Sequence, residues 1–426
     1  MSFTLSAVEL ADGTIGNVTV VDGVVTAIGS QVEGENIDCK GLILLPGFVD
    51  LHTHLRQPGF EQSETVETGS MAAALGGYTA VHPMANTFPV ADNAGVVEQV
   101  QRLGDEVGLV EVQPIGAVTV GLEGEQLAEL GTMHQSKAKV TIFSDDGKCV
   151  SDPLLMRRAL TYVKAFDGVI AQHAQEPRLT QNAQMNEGSV SAELGLAGWP
   201  AVAEESIIAR DIMLAELTDS RLHVCHVSTA GSVEQIRLGK ARGVKVTAEV
   251  TPHHLLLTDE LARSYNPVYK VNPPLRTNRD VEALRAALID GTIDVIGTDH
   301  APHPDELKNC EWSAAAFGML GLETAASIAQ LVLIESGHSS WSRLAEVLSV
   351  KPAEISGLES QGQRIVVGAK ANLTVLDPKQ KRTIVDGGAS KSNNQPYVGM
   401  ELPGQVVHTI FRGEFTVRDT VLARKA

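Results

Sequence analysis

Aromatic residues are scarce in this chain of 426 residues: Phe, Trp and Tyr together make up 4%. Proteins that grip bases or sugar rings stack them on aromatic platforms, so such stacking is not the main theme here. Positive charge is also short, with 34 Lys and Arg against 52 Asp and Glu and a formal net charge of −18. That balance disfavours nucleic acid and anionic membranes as partners, although arginine or a metal ion can still make one pocket positive. Cysteine is limited to Cys39, Cys149, Cys225 and Cys310, with no C-x-x-C pair. Scattered single cysteines fit a reduced compartment better than a disulfide framework, and a cytoplasmic location is expected. The chain does not open on a basic segment followed by an apolar stretch, so no signal peptide is read. No apolar run approaches the ~20 residues of a bilayer span. A G-x-G-x-x-G after the first strand of the middle region is missing too, which counts against dinucleotide binding.

What is present is a chain with 43% hydrophobic residues, long enough for a barrel with an appendage. Residues 1–45 read as short strands and turns, as in Gly16-Asn17-Val18-Thr19-Val20-Val21-Asp22-Gly23, where a strand runs into an Asp-Gly turn. Residues 360–426 have the same character, with strands expected at 364–367, 372–376 and 406–411. Both ends are expected to assemble into one small β domain. The middle, 46–359, alternates. Strands are expected at 48–54, 78–84, 110–117, 139–145, 168–173, 221–227, 244–250 and 294–298, with helices at 63–75, 153–166, 203–217, 232–242 and 278–289 among them. Eight strands with intervening helices match an α/β fold of the (β/α)8 TIM-barrel type; an open doubly wound sheet is the alternative.

Candidate metal ligands end these strands. His52 and His54 form an H-x-H pair on the first, and side chains two apart on a strand share a face. Asp145 and Asp146 end the fourth strand, His173 the fifth, His226 the sixth and Asp299 the eighth. Barrel enzymes place their chemistry at these carboxyl ends. Any one of these histidines is more often structural than a ligand, and H-x-H alone recurs by chance; the joint pattern is what carries weight. Four histidines with two carboxylates suffice for two divalent ions, and the absence of thiolate suits Zn2+, with Mn2+ or Co2+ as substitutes. His253, His254, His82 and His223 are read as packing and hydrogen-bonding residues. Cys225 is read as facing away from His226 by strand alternation. An ion in such a site lowers the pKa of bound water to about 7 and polarises a carbonyl. Hydroxide held between two ions would attack an amide carbon, with Asp299 taking a proton and returning it to the departing nitrogen. Arg56 lies two residues past the pair and offers a planar fork suited to a carboxylate. Asn86, Asn272 and His303 sit in loops on the same side. Taken singly, a surface ion pair for Arg56 and a turn role for each Asn are the blander readings. Phe317-Gly318-Met319-Leu320-Gly321 could offer backbone hydrogen bonds to a flat heterocycle, or simply turn the chain.

These residues carry a family resemblance. Pro46-Gly47-Phe48-Val49-Asp50-Leu51-His52-Thr53-His54-Leu55-Arg56, Phe143-Ser144-Asp145-Asp146-Gly147, His226-Val227-Ser228-Thr229, Thr251-Pro252-His253-His254-Leu255, Lys270-Val271-Asn272-Pro273-Pro274-Leu275-Arg276 and Gly297-Thr298-Asp299-His300-Ala301-Pro302-His303 make the chain resemble the amidohydrolase superfamily and, within it, bacterial dihydroorotases of the class I type. The resemblance implies a (β/α)8 barrel with a small β-sandwich built from both termini. It implies reversible interconversion of N-carbamoyl-L-aspartate and L-dihydroorotate in pyrimidine synthesis. One zinc would be held by His52, His54 and Asp299, a second by His173 and His226, with Asp146 bridging. Other superfamily branches use a carboxylated lysine as the bridge; Lys139 and Lys148 are near, but this sequence presents the Asp form. Arg56, Asn86 and His303 match the grip on the substrate carboxylate, and Asn272, Phe317 and Gly318 match contacts to the ring. A homodimer and an association with aspartate transcarbamoylase are further implications. Ala85 and Gln57 depart from the family's usual proline and glutamate, and neither is a proposed ligand. The competing readings are a cyclic amidase for hydantoins, dihydropyrimidines or allantoin, and a non-catalytic scaffold. Scaffold relatives lose metal ligands, whereas here every one is present.

Overall fold

The Asp22-Gly23 dipeptide turns the chain as its sequence predicts. Both residues take positive φ, 48° and 78°, the backbone of a two-residue type I′ hairpin. Ile15–Val21 and Val24–Gly29 pair antiparallel across it. The computed structural model describes residues 2–423 and builds both ends of the chain into one nine-stranded sheet. The seam between the ends is the antiparallel pairing of Ile43–Pro46 with Leu373–Thr383, which continues into Glu401–Phe411 and Glu414–Arg418. Phe3, Leu5, Val18, Val20, Leu44, Leu373 and Val375 pack together on one side, following the period of two that a half-buried strand requires. The expected strand at 364–367 does not form. Gly362 and Gly368, both at positive φ, bracket this segment and turn the chain, leaving Val366 and Val367 more than half exposed.

The middle of the chain is built from parallel pairs. Phe48–Thr53, Tyr78–Pro83 and Glu111–Val112 form one ladder. Ile142–Phe143, Val169–Gln172, Arg221–Val224, Val246–Val250 and Val295–Ile296 form another. Single parallel bridges, Gly116 with Phe143 and Thr53 with His300, link the two. The pairing thus runs through eight segments and returns to the strand on which it began. Among the helices between strands are Val66–Leu75, Pro153–Val163, Val202–Thr218, Ala230–Ala241 and Asn278–Asp290. All but Val202–Thr218 start on a side-chain cap: Thr65, Asp152, Thr229 and Thr277 each accept a backbone N–H of the first turn, as N-capping residues do. The third, fourth and eighth strands are shorter than the sequence predicts. Pro114 offers no N–H to continue the third, and positive φ at Lys139 and Asp299 bends the chain around the other two.

Leu51, Met84, Ile115, Ile142, Val169, Ala171, Cys225 and Val295, drawn from seven of the eight segments, pack into one apolar plug between the strands. Polar residues gather at the strands' carboxyl ends. All four cysteines are free, and among the described residues no helix is long and apolar enough to cross a membrane.

Candidate metal centre

Asp146 is the point on which the histidines converge. Its Oδ1 lies 3.4 Å from His52 Nε2, 3.2 Å from His173 Nδ1 and 3.3 Å from His226 Nε2, and its Oδ2 lies 3.4 Å from His54 Nε2. Asp299 Oδ1 stands 3.0 Å from His54 Nε2 and 3.5 Å from His52 Nε2. All six residues are buried. The structure therefore brings these six candidate ligands together from five different strand ends. His52, Asp146 and His226, and likewise His52, His54 and Asp299, have ligand atoms within 4.8 Å of one another. Backbone strain marks the same place. His226 at φ 30°, Asp299 at 46° and Arg56 at 62° occupy the left-handed region, which costs non-glycine residues energy and is retained mostly at functional sites.

Three of the four histidines are also held from behind. His52 Nδ1 donates to Glu249 Oε1 at 2.5 Å, His54 Nδ1 to Asn86 Oδ1 at 3.0 Å, and His173 Nε2 to Gln175 Oε1 at 2.8 Å. A histidine that donates through one nitrogen presents the lone pair of the other, the arrangement a metal ligand requires. In these three rings the remaining nitrogen faces Asp146. His52 Nε2 is buried and makes no hydrogen bond, an orphaned acceptor facing two carboxylates. That donor set, nitrogen and carboxylate oxygen without thiolate, fits a divalent ion such as zinc.

The electrostatics match. Burial raises the Asp299 carboxyl, but His52 and His54 outweigh it and hold it at about 2. Burial likewise opposes ionisation of Asp146, and His52, His173 and His226 drive its pKa well down. Around His52 burial disfavours the cation, yet Glu249, Asp146 and Asp299 raise its pKa. The carboxylates are thus held ionised by positive charge at the histidines, a place that a divalent cation fills once the rings bind it through their lone pairs.

The other residues singled out by sequence take these places. Arg56 Nε donates to the Pro302 carbonyl at 3.2 Å. His303 Nε2 donates to the Phe317 carbonyl at 2.8 Å, and burial with the Arg56 charge lowers its pKa to about 3, so the ring is neutral. Since Nε2 carries the proton, it cannot accept from Arg56 Nη2, 3.4 Å away. Among the described residues no other hydrogen bond is made by the two Nη groups of Arg56. Asn86 uses Oδ1 on His54. Asn272 Nδ2 reaches Gln175 at 3.2 Å, and its Oδ1 is buried without a partner. Phe317 packs edge-on against Trp199, with Lys270 Nζ 4.5 Å over its ring. Gly318 has both backbone groups engaged, its N–H on the Lys270 carbonyl and its carbonyl on Asn394 Nδ2. A Cβ there would stand 2.9 Å from Ala301 and His303, so glycine is needed for this approach.

Asp145 does not join the cluster; its carboxylate accepts from Val118 N, Thr119 N and the Thr119 hydroxyl, fixing a neighbouring loop. His254 is satisfied by Thr251 and the Pro273 carbonyl, whereas His82 Nδ1 donates to the Asp50 carbonyl and its buried Nε2 has no partner, as is true of His253 Nε2. Cys225 is a correction. The left-handed backbone at His226 breaks strand alternation, and the thiol shares a cluster with His52 and Glu249. Sequence reasoning also missed Glu249. Its only signal is a lone acidic residue inside an apolar strand, between Ala248 and Val250.

A family model described as Dihydro-orotase-like matches residues 41–232. A dihydroorotase of Streptomyces coelicolor is 64% identical over 405 residues, covering 94% of this chain and 95% of its own. Dihydroorotases of Leifsonia xyli and Mycobacterium tuberculosis are 61% and 52% identical, covering 98% and 96% of this chain and 96% of each of theirs. In three dimensions the chain is similar to an L-hydantoinase (dihydropyrimidinase) from Arthrobacter aurescens, with a TM-score of 0.89, 28% identity and coverage of 99% and 97% of the two chains. A dihydropyrimidinase from Brevibacillus agri has the same fold, with a TM-score of 0.86 at 24% identity, covering 99% and 96%. With four histidines and two aspartates converging at the strand ends, and sequence identity of this order along almost its whole length, the chain belongs to the dihydroorotase family.

Proposed function

We propose that the protein is a zinc-dependent dihydroorotase of the class I type, catalysing the reversible cyclisation of N-carbamoyl-L-aspartate to L-dihydroorotate in pyrimidine (UMP) synthesis. The observation that carries this is Asp146 among four histidines, with the Arg56 guanidinium close enough to feel the charges of Asp299 and Asp146. In this reading the eight parallel segments are a (β/α)8 barrel spanning 46–359, and residues 1–45 with 360–426 form a β-sandwich domain; the returning order of strand pairs supports it.

His52, His54 and Asp299 would hold one zinc, His173 and His226 a second, and Asp146 both. Bound ions supply Lewis acidity toward a carbonyl oxygen and acidify water. Asp299 is the proton carrier: its carboxylate accepts a proton from the attacking water and returns it to the ring nitrogen as the C–N bond breaks. In the synthetic direction the same carboxylate takes the proton from the carbamoyl nitrogen and delivers it to the departing oxygen. Ring closure takes up a proton overall, so cyclisation gains as pH falls and hydrolysis as it rises. Arg56 and Asn86 through Nδ2 grip the substrate carboxylate, joined by His303 when its Nε2–H turns from the Phe317 carbonyl to the ligand. Asn272 Oδ1, Phe317 and the Gly318 turn border the ring. A cytoplasmic homodimer, associated with aspartate transcarbamoylase, belongs to the same reading; size measurement of the protein alone and with that enzyme tests both associations.

The fold likeness to hydantoinases favours one second reading, a cyclic amidase for uncarboxylated rings. Rates on L-dihydroorotate, hydantoin and dihydrouracil separate the two. A kcat/KM for dihydroorotate far above the others is expected, and faster opening of hydantoin or dihydrouracil would overturn the proposal.

A further inference from the structure

Glu249 lies on the seventh parallel strand, Val246–Val250, and is fully buried. Its carboxylate binds groups from two other strands. Oε1 accepts from His52 Nδ1 at 2.5 Å and from the backbone N–H of His226 at 3.0 Å. Oε2 lies 3.2 Å from His223 Nε2, and His223 Nδ1 lies 2.9 Å from Thr247 Oγ1. Between the seventh strand and His52 stands the eighth, and its residue at the crossing is Gly297. A Cβ there would lie 2.5 Å from Glu249 Oε2 and 2.8 Å from its Cδ. Gly297 has no positive φ to explain it; the absent side chain makes room for the carboxylate.

This geometry fixes two candidate ligands at once. A carboxylate on Nδ1 holds His52 in the tautomer whose Nε2 lone pair faces Asp146 and Asp299, and makes that nitrogen a better donor. The same oxygen pins the peptide of His226 in its left-handed turn, which directs the His226 ring toward Asp146. Asp50 adds a second tie, accepting from the His52 N–H and from Thr298 N and Oγ1. It bonds no histidine ring by these contacts. Glu249 is therefore the carboxylate placed to set the direction of a ring lone pair.

We propose that Glu249 is a positioning residue of the metal centre, with Gly297 as the clearance it requires, and that it sets affinity for the divalent ion by orienting His52 and His226. The proposal rests on the metal-centre reading above. The test is zinc affinity of the full-length apoprotein, measured by competition with a chromogenic chelator, alongside its melting temperature without metal. Glu249→Gln is expected to weaken zinc by about 10- to 100-fold, the usual effect of losing a partner behind a metal-bound histidine. Glu249→Asp, which keeps the charge but shortens the reach, is expected to fall between. Gly297→Ala leaves every ligand and the carboxylate in place while crowding Oε2, and is expected to weaken zinc as well; it serves if Glu249→Gln does not fold. Folded variants with wild-type zinc affinity, whatever their melting temperatures, would overturn the proposal and leave the metal-centre reading standing. A wild-type protein that binds neither zinc nor another divalent ion would overturn both.

Discussion

The sheet made from the two chain ends and the ring of strand ends solve opposite problems. In the sheet, Phe3, Leu5, Val18, Leu373 and Val375 are buried against one another with their backbones paired, so burial is gained at little electrostatic cost. At the strand ends, His52, His54, Asp146, His173, His226, Asp299, Glu249 and Asp50 are buried together. Burial pushes the Asp50 carboxyl up to about 7, even though Thr298 and the His52 N–H bond it. Desolvated like charges lower stability unless a counter-ion or a hydrogen bond offsets them. One region thus holds the chain together, and the other concentrates buried carboxylates for which a divalent cation is a fitting counter-ion.

Substitutions in the two regions should then separate activity from stability. The largest effect is expected for Asp299→Asn: kcat for dihydroorotate hydrolysis falls by about 10²- to 10⁴-fold, the range for a lost general acid–base. Its melting temperature without metal is expected to fall modestly, since His52 and His54 lose the carboxylate that they hold ionised. Near-normal turnover would break the assignment of Asp299 as proton carrier. Leu5→Ala in the sheet is expected to do the reverse. Unfolding free energy drops by about 2–5 kcal/mol, as for a core leucine, while the folded fraction keeps its kcat and KM. A change in KM at unchanged stability would show that the two regions are not separable.

Arg56→Met tests a single contact within the active region. A hydrogen bond to a charged group contributes about 1.5–3 kcal/mol, so KM for dihydroorotate should rise about 10- to 100-fold with zinc content unchanged. Unaltered kinetics would mean that the carboxylate is held elsewhere.

The smallest effect lies between the regions. Lys308 donates to the carbonyls of Lys270 and Ala316, at 2.8 and 2.7 Å, and so ties down the segment that follows the eighth strand. Burial, with Lys270 adding to it, lowers its pKa from 10.5 to about 7. Between those values the unfolded chain binds a proton that the folded one lacks, so the contribution of Lys308 to stability rises with pH across that window and is least below it. The melting temperature of the wild type relative to Lys308→Met should therefore increase from pH 7 to pH 10. A difference independent of pH would contradict the shift.

Much of this was legible in the sequence, for reasons of local geometry. The period of two marked the strands, Asp22-Gly23 marked the hairpin, and six ligand-type residues stood where strands end. What escaped reading depends on contacts across the fold. Glu249 gains its meaning only because Gly297 lets it pass over the eighth strand to His52. Asn86 was assigned from sequence to the substrate alone, and its Oδ1 is spent on His54. Cys225 was misplaced because alternation fails where His226 turns left-handed. The stretch 364–367 has the composition of a strand, but the glycines on either side set its path.

The central claim is that the histidines around Asp146 hold the ions on which dihydroorotate turnover depends. The direct measurement is L-dihydroorotate hydrolysis by protein stripped with a chelator and then titrated with zinc. Activity is expected to be lost on stripping and to return in proportion to bound zinc, saturating at two ions per chain. Full activity in protein shown by elemental analysis to carry no metal would contradict the account.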